Sequence, residues 1–529
     1  MDPAATIKAW PAVREALDEL TAVDAVRRLN ERDTTLWSDD PVHQQVARDR
    51  LGWLDAATGD PAWSRRVRGL AAEVRADGLD HVVLAGMGGS SLAPEVFSRV
   101  VGGTGATLDV LDSTHPDAVA HLLDGADLER TLVVVASKSG TTEETRCFGL
   151  RAAALVPDHG HLVAITDPGS TLAEQARAEG WRAVLENPPD IGGRYSALSL
   201  FGMAPAALLG IDVDEVWRRA GALHDACGPG TPPEVNPAAQ LAAFMGGLAR
   251  AGRDKLTFLA PPALAPLGDW VEQLVAESTG KDGVGIVPVV GEPLGPPEAY
   301  GDDRAFLALE FAGDAAPGAD ELAAAGHPVL RVSVGDALDL GAEFIRWELA
   351  TALAAVLLGV DPFDEPNVAE SKANTKAVLA DVAGGAMLPA PEDGDPATLL
   401  SSAERGDYLA VMCYLAPDAD VADALAQLRA GVRDSTGLAT TLGWGPRFLH
   451  STGQLHKGGP DSCLAVQIVD APEGGPDIPG AAYDFATLVR AQAAGDLRSL
   501  RDKGRRVVQV GAVDADDVRA ITRRALGGA

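Results

Sequence analysis

The chain has 529 residues, enough for two or three domains that each have a hydrophobic core. Hydrophobic residues make up 46% and charged residues 23%, a balance that is typical of globular proteins and excludes wholesale disorder. The formal net charge of −32 argues against nucleic acid or an anionic membrane as a partner, because both would be repelled. An anionic substrate would need a locally positive pocket inside this negative shell.

No targeting, membrane or disulfide signal stands out. The N-terminus lacks the basic start and unbroken apolar core of a secretory signal. The most hydrophobic long run, 344–360, carries Arg346 and Glu348, which favours a buried helix over a membrane span. The four cysteines are far apart and form no CxxC pair, as expected for reduced thiols. We therefore expect a soluble, cytoplasmic protein.

The first part of the chain predicts helices and then a parallel sheet. Residues 1–75 carry apolar residues at helical spacing and predict an N-terminal helical segment. From residue 81 the pattern alternates between strands and helices. The predicted strands lie at 81–85, 107–111, 131–136 and 161–165. This alternation is typical of a doubly wound parallel sheet, in which ligands bind at the carboxyl ends of the strands.

The segment after the strand 131–136 is rich in hydroxyl groups. It reads Ser137-Lys138-Ser139-Gly140-Thr141-Thr142, and an acidic first turn of a helix follows it. Backbone N–H groups, hydroxyls and a lysine at a helix N-terminus are suited to hold a phosphate. The alternative is a hydroxyl-rich turn that only caps the helix.

A second glycine-containing loop, GMGGSS (86–91), follows the strand 81–85. It differs from the dinucleotide fingerprint GxGxxG, because Ser91 takes the place of the third glycine. We expect a second phosphate or sugar loop, with the Gly89 N–H and the Ser90 hydroxyl beside the loop 137–142.

Two further positions are candidates for chemistry. Arg194 follows two glycines, which allow the backbone to approach a ligand closely, although a surface arginine after a turn is the alternative. In the predicted helix 267–278, Gln273 and Glu277 are four residues apart and so project from the same face. The alternative for Glu277 is a solvated surface glutamate.

A second alternating region begins near residue 256. Its predicted strands lie at 256–260, 285–290, 305–311, 329–334, 408–414 and 464–469. We therefore predict an α/β fold in three parts. These are an N-terminal helical segment (1–75), a first domain with the phosphate loops (76–228) and a second domain (229–529).

Five segments match, in order, the signature segments of one enzyme family. They are GMGGSS (86–91), SKSGTTEET (137–145), GGRYS (192–196), EQLVAESTGK (272–281) and PFDEPNVAESK (362–372). The chain thus resembles phosphoglucose isomerase, which interconverts glucose 6-phosphate and fructose 6-phosphate in glycolysis and gluconeogenesis. The resemblance implies two sugar-isomerase (SIS) domains, each a parallel sheet flanked by helices.

The resemblance also implies a role for each matching residue. The phosphate would be held by Gly89, Ser90, Ser137, Ser139, Thr141 and Thr142, with Lys138 nearby. Glu277 would be the base that moves the proton between C2 and C1, and Gln273 would lie beside it. Arg194 would stabilise the enediolate intermediate, and Lys372 would lie near the ring-opening site.

The ring-opening histidine of the family is expected before the PFD segment, as His-x-x-x-Gln, but nothing there has that form. The form occurs later, at His450 in HSTGQLHKGG (450–459). Compared with the family, the second domain therefore contains an inserted segment at about 375–445, which precedes this histidine. The late arrangement resembles the isomerase half of actinobacterial-type transaldolase–phosphoglucose isomerase proteins. His450 is therefore predicted to open the ring, with His456 as the alternative.

The implied reaction moves protons and needs no metal or cofactor. A histidine suits ring opening near neutral pH, and a shielded carboxylate with a nearby cation suits the C–H step. The resemblance further implies a sugar-phosphate substrate and a homodimer. Two alternatives stay open: an isomerase that also accepts mannose 6-phosphate, and a non-catalytic sugar-phosphate sensor.

Overall fold

The computed structural model describes residues 9–527, apart from the side chains of Val368 and Ala369. The part of the predicted N-terminal segment within these limits is helical. Its helices are Pro11–Ala22, Ala25–Asn30, Pro41–Arg48, Trp53–Ala56 and Pro61–Ala76. Asp40 and Asp60 each accept a backbone N–H at the start of a helix whose first residue is proline, which is a favourable way to begin a helix.

The first sheet has five parallel strands in the order β2-β1-β3-β4-β5. They are β1 (His81–Gly86), β2 (Thr107–Leu111), β3 (Thr131–Ala136), β4 (Leu162–Thr166) and β5 (Ala183–Glu186). Every residue of β3 and β4 is buried, as expected for central strands covered on both faces. Gly86 pairs with Ala136, so the loops that follow β1 and β3 start side by side. The sequence pattern does not predict β5, which is short and partly exposed.

The second sheet has four parallel strands in the order β7-β6-β8-β9. They are β6 (Lys255–Leu259), β7 (Val287–Val289), β8 (Arg304–Phe311) and β9 (Val329–Val334). The helix Leu267–Thr279 joins β6 to β7 and is the predicted helix of Gln273 and Glu277. The hydrophobic run 344–360 lies mostly in the buried helix Leu340–Leu358. Among the described residues, no helix combines the length and apolar character needed to cross a membrane.

The third sheet has four parallel strands in the order β11-β10-β12-β13. They are β10 (Tyr408–Cys413), β11 (Ala439–Trp444), β12 (Cys463–Val469) and β13 (Arg506–Gly511). The predicted strands near 408 and 464 are present, whereas β11 and β13 are not predicted by the sequence pattern. β11 contains two threonines and a glycine, and β13 is a half-buried edge strand, so neither has a long apolar run.

The α/β fold class, with parallel sheets flanked by helices, is confirmed. Two domains with one parallel sheet each were predicted, but the described residues form three sheets. The third sheet forms because β10, inside the predicted insertion, pairs with β11 on one side and with β12 on the other. β12 belongs to the region after the insertion. The domain limits themselves stay a prediction. The other helices are Leu92–Val96, Pro116–Val119, Glu143–Leu155, Thr171–Ala178, Leu200–Leu208, Val213–Ala226, Pro237–Ala242, Leu248–Arg250, Ala319–Ala324, Pro366–Ala383, Pro396–Ser401, Ala419–Thr436, Gly453–Gly458, Phe485–Asp502 and Ala515–Ala525.

Candidate active site

The glycine-containing loops after β1 and β5 touch through their backbones. A Cβ on Gly89 would lie 1.9 Å from the carbonyl oxygen of Gly193, so no side chain fits there. Gly88 has a φ of +53°, and a Cβ on it would lie 2.6 Å from the carbonyl oxygen of His450. Glycine is therefore required at both positions, and the loop after β1 is held against Arg194 and His450.

The hydroxyl-rich loop 137–142 follows β3 and leads into the helix Glu143–Leu155. The Ser137 and Thr142 hydroxyl oxygens lie 3.2 Å apart, and those of Ser139 and Thr141 lie 2.9 Å apart. Thr142 is the residue before the helix, yet its side chain accepts no N–H from the first turn. The capping alternative therefore lacks its hydrogen bond, and the arrangement leaves helix N–H groups to bind an anion.

Lys138 does not present a free charge at this loop. Its ammonium group forms an ion pair with Asp167 and donates to the carbonyl oxygen of Pro189 at 2.7 Å. The nearby carboxylate compensates the lysine charge, which weakens the prediction that Lys138 supplies the positive charge for a phosphate.

One cavity of about 390 Å³ brings most of the predicted site residues together. Its lining includes Gly89, Ser90, Lys138, Ser139, Thr142, Arg194, Gln273, Glu277, Lys372 and His450. Ser137 and Thr141 are outside this lining and contact it through their hydroxyl partners Thr142 and Ser139. Residues from the regions of all three sheets therefore meet in one cavity.

Glu277 and Arg194 form a buried pair in this cavity. The Glu277 Oε1 atom lies 3.2 Å from Arg194 Nη1, and Gln273 Nε2 donates to Glu277 Oε2 at 3.1 Å. Arg194 also donates to the carbonyl oxygens of Pro362 at 2.6 Å and Asp364 at 2.9 Å, which orient its guanidinium. The alternatives of a solvated glutamate and a surface arginine do not hold, because the two residues are only 8% and 5% exposed.

The pKa of Glu277 is raised above its ordinary value. Burial is the main cause, since it disfavours the charged carboxylate. The charge of Arg194 opposes the rise, and the charge of Glu365 adds to it. A glutamate with a raised pKa is a stronger proton acceptor once it is ionised, which suits a general base.

His450 reaches the cavity from the turn Arg447–His450, which follows β11. Its Nε2 atom lies 3.0 Å from Glu144 Oε1, and Gln492 Nε2 donates to the same carboxylate oxygen at 2.7 Å. Arg447 ties the turn to the helix Leu92–Val96, which follows β1, through an ion pair with Glu95 at 2.6 Å. The imidazole is thus oriented by a carboxylate and is available for proton transfer.

His456 lies elsewhere. It is 2% exposed, does not line the cavity, and its Nδ1 atom lies 2.9 Å from the Tyr408 hydroxyl. Burial, together with the charges of Lys457 and Arg505, lowers the pKa of His456 to about 3. A core histidine with this environment stays neutral, so the geometry favours His450 over His456 at the cavity.

Lys372 lies on the helix Pro366–Ala383 and lines the cavity with an exposed side chain. This helix packs closely on Phe485–Asp502, since a Cβ on Gly495 would lie 2.8 Å from the backbone nitrogen of Thr375. Burial opposes ionisation of Glu144, but its pKa is lowered on balance by the charge and hydrogen bond of His450 and, to a smaller extent, by the charge of Lys372. Lys372 therefore lies on the His450 side of the cavity.

Comparison with known proteins shows the family to which the chain belongs. The family model for phosphoglucose isomerase matches residues 65–286. A glucose-6-phosphate isomerase of Symbiobacterium thermophilum is 31% identical over 392 residues, which cover 62% of this chain and 86% of that protein. One of Rubrobacter xylanophilus is 30% identical, covering 58% of this chain and 84% of that protein. The chain belongs to the phosphoglucose isomerase family.

Other members of the family match over a shorter part. A glucose-6-phosphate isomerase of a Cyanothece species is 36% identical over 214 residues, which are 38% of this chain and 40% of that protein. One of Thermosynechococcus vestitus is 32% identical, over 51% of this chain and 54% of that protein. The chain therefore spans about half the length, or less, of these relatives.

Two solved structures have a similar fold. A hypothetical protein of Thermus thermophilus has a TM-score of 0.60 and 24% identity, covering 70% of this chain and 98% of its own. A glucose-6-phosphate isomerase of Chlamydia trachomatis has a TM-score of 0.54 and 19% identity, covering 70% of this chain and 86% of its own. At these identities the likeness concerns the fold alone.

Several charged residues in and around the cavity are not singled out by the sequence pattern. Arg50 and Glu365 line the cavity, and Glu144 holds His450. Glu144 and Glu365 lie inside the matched segments, so their position was a usable signal. Arg50 belongs to the N-terminal helical segment, where no pattern singles it out.

One group near the cavity has the spacing of a metal site. The ligand atoms of His43, Asp361 and Asp364 all lie within 4.8 Å of one another. Lys281 Nζ, however, donates to Asp364 Oδ1 at 2.6 Å and to the carbonyl oxygen of Asp361 at 2.7 Å. An ammonium group therefore already compensates this acidic pair, and the group does not match a dedicated metal site.

Proposed function

We propose that this protein is an aldose–ketose isomerase that interconverts glucose 6-phosphate and fructose 6-phosphate. The observation that carries the proposal is the single cavity in which a phosphate-type loop, the Glu277–Arg194 pair and His450 meet. The matched family members carry the name of this activity. The reaction would place the protein in glycolysis and gluconeogenesis.

The phosphate end of the sugar would bind at the two loops of the first sheet. Backbone N–H groups at Gly89 and at the start of the helix Glu143–Leu155, together with the hydroxyls of Ser90, Ser139 and Thr142, would hold the phosphate oxygens. This end does not react. Its binding energy positions the sugar carbons against the catalytic groups.

Ring opening would be the work of His450. The imidazole would take the proton of the C1 hydroxyl and return a proton to the ring oxygen, which yields the open-chain aldehyde. Glu144, 3.0 Å from Nε2, would stabilise the protonated imidazole during this transfer. Lys372, on the same side of the cavity, would assist at the ring oxygen.

Glu277 would then carry the isomerisation. Its carboxylate would take the proton from C2, forming an enediol(ate), and return it to C1, so that no proton is gained or lost overall. Arg194, 3.2 Å from Glu277, would stabilise the negative charge that develops on the enediolate oxygens. Gln273 would keep the carboxylate oriented through its bond to Oε2.

The test measures glucose 6-phosphate and fructose 6-phosphate conversion in both directions with coupled assays, for the wild type and Glu277→Gln. We expect the wild type to be active and the variant to lose roughly a thousandfold or more in kcat, with sugar-phosphate binding retained, because the amide cannot accept the C2 proton. Exchange of the C2 proton with solvent deuterium should follow the same pattern. Near-normal turnover by Glu277→Gln would place the base elsewhere.

The other predicted properties remain part of the proposal. Activity on mannose 6-phosphate would be revealed by a second coupled assay, and a sensor without catalysis would show no deuterium exchange at C2. A homodimer and the lack of a cofactor or metal requirement rest on the resemblance. A cytoplasmic location accords with four free cysteines that are all buried.

A further inference from the structure

The N-terminal helical segment places one cation at the edge of the cavity. Arg50 follows the helix Pro41–Arg48 and lines the cavity. The next residues fix its position: Leu51 forms an antiparallel bridge with Ile191, and the Gly52 N–H donates to the carbonyl oxygen of Asp190 at 2.9 Å. A Cβ on Gly52 would lie 2.5 Å from the Asp190 carboxyl group, so this contact is tight.

These contacts of residues 51 and 52 place Arg50 beside the loop 137–142. Asp190 is the neighbour of Pro189, whose carbonyl oxygen accepts from Lys138 Nζ. Arg50 also acts electrostatically on Asp167, the carboxylate that pairs with Lys138. On the other side, a Cβ on Gly192 would lie 3.4 Å from Arg50 Cδ.

The cations around the cavity differ in how far carboxylates compensate their charge. Lys138 is paired with Asp167, and Arg194 is paired with Glu277 and Glu365. Within the part of the chain that the structure describes, Arg50 forms no ion pair, and its guanidinium donates to the Asp49 carbonyl oxygen at 3.1 Å. Arg50 acts on Asp167 only from beyond ion-pair distance, so its guanidinium can still bind a ligand directly.

We propose that Arg50 is a further substrate-binding residue, which supplies the positive charge for the phosphate held by the loop 137–142. A phosphate dianion in a protein of net charge −32 needs a local cation, and Arg50 fills the place that the compensated Lys138 leaves open. The inference rests on the proposed function, since it assumes that the cavity binds a sugar phosphate. Arg50 would thereby help to select phosphorylated over free sugars.

The test compares Arg50→Met, Arg50→Lys and the control Arg48→Met with the wild type. Arg48 is exposed at the end of the preceding helix, outside the cavity lining, and donates to Gln45 at 2.7 Å. The readouts are KM for glucose 6-phosphate and the Kd for inorganic phosphate by calorimetry. Thermal unfolding checks that each variant is folded.

We expect Arg50→Met to raise both constants about tenfold or more, Arg50→Lys to restore most of the loss, and Arg48→Met to stay within about twofold of the wild type. Constants for folded Arg50→Met that match those of the wild type would overturn the inference, as would a wild type that binds no phosphate. A wild type that binds phosphate through Arg50 but does not isomerise sugars would leave the inference standing and overturn the proposed function instead.

Discussion

Glu365 shows how a single neighbouring charge tunes the proposed base. Arg194 Nη1 lies 3.2 Å from Glu277 Oε1 and equally 3.2 Å from Glu365 Oε2, so two carboxylates share one guanidinium. Burial raises the pKa of Glu277, and the negative charge of Glu365 raises it further. The pKa of Glu277 therefore depends on the charge of Glu365, which acts on it without a hydrogen bond.

Replacing Glu365 by Gln should lower the pKa of Glu277. The base is active when ionised, so kcat/KM falls as the pH drops through this pKa, and the acid limb of the profile should move to lower pH in Glu365→Gln. The measurement is kcat/KM against pH. Glu370→Gln is the matched control, because Glu370 lies on the helix that follows Glu365 and pairs with Lys503 at the surface. An acid limb that stays in place or moves to higher pH contradicts the predicted coupling.

At the scale of elements, the site depends on how closely the loops after β1 and β5 approach. The contact between Gly89 and the Gly193 carbonyl oxygen leaves no room for a methyl group. A loop with any other residue at position 89 would have to move away from Arg194. The binding site therefore depends on where the backbones of these two loops lie, as well as on their side chains.

Gly89→Ala should separate the two loops. We expect a loss of about 1–3 kcal/mol in the free energy of unfolding, typical of overpacking, and roughly a tenfold or greater loss in kcat/KM. Thermal and denaturant unfolding, with coupled assays, provide the measurement. Gly193→Ala is the control for stability, because a Cβ there meets nothing within 4 Å. If both variants unfold like the wild type, the contact at Gly89 does not constrain the two loops.

The segment 375–445 helps to form the third sheet. Its strands β10 and β11 form one sheet with β12 and β13, and β11 leads directly into the turn that carries His450. The predicted insertion is therefore the support of the proposed ring-opening residue. The sequence pattern missed this because β11 has no long apolar run, and because the pairing of β10 with β12 ties the segment to the region that follows it.

At the scale of the whole molecule, one chain supplies every residue proposed for the reaction. The first sheet contributes the phosphate loops and Arg194, the region of the second sheet contributes Glu277, and the third contributes His450. Ion pairs and hydrogen bonds between these regions, such as His450 with Glu144, hold the parts together. The groups proposed for the phosphate, the C–H step and ring opening thus all come from the same copy of the chain.

Specific activity should therefore be constant on dilution. We expect the rate per mole of protein to be unchanged from micromolar to low nanomolar concentration, whether or not the protein forms the homodimer that the resemblance implies. Initial rates over this range, with sedimentation velocity at the same concentrations, provide the measurement. A fall in specific activity that follows dissociation of a dimer would show that the second copy contributes to the site.

The amino-acid sequence by itself determined the local features of this protein. The apolar strands β1, β3 and β4, the hydroxyl-rich loop after β3 and the shared face of Gln273 and Glu277 all follow from the order of neighbouring residues, because hydrogen bonding and side-chain periodicity act over a few positions. Five matching segments were enough to predict the family and most of the cavity.

Only the tertiary structure decided which distant residues meet. His450 lines the cavity beside Glu144, a partner 306 positions away in the chain, whereas His456 is buried elsewhere. The compensated charge of Lys138 and the available charge of Arg50 likewise depend on which carboxylates the folded chain brings close. The physical reason is that burial and electrostatic pairing act through space, whereas a sequence pattern records only neighbours along the chain.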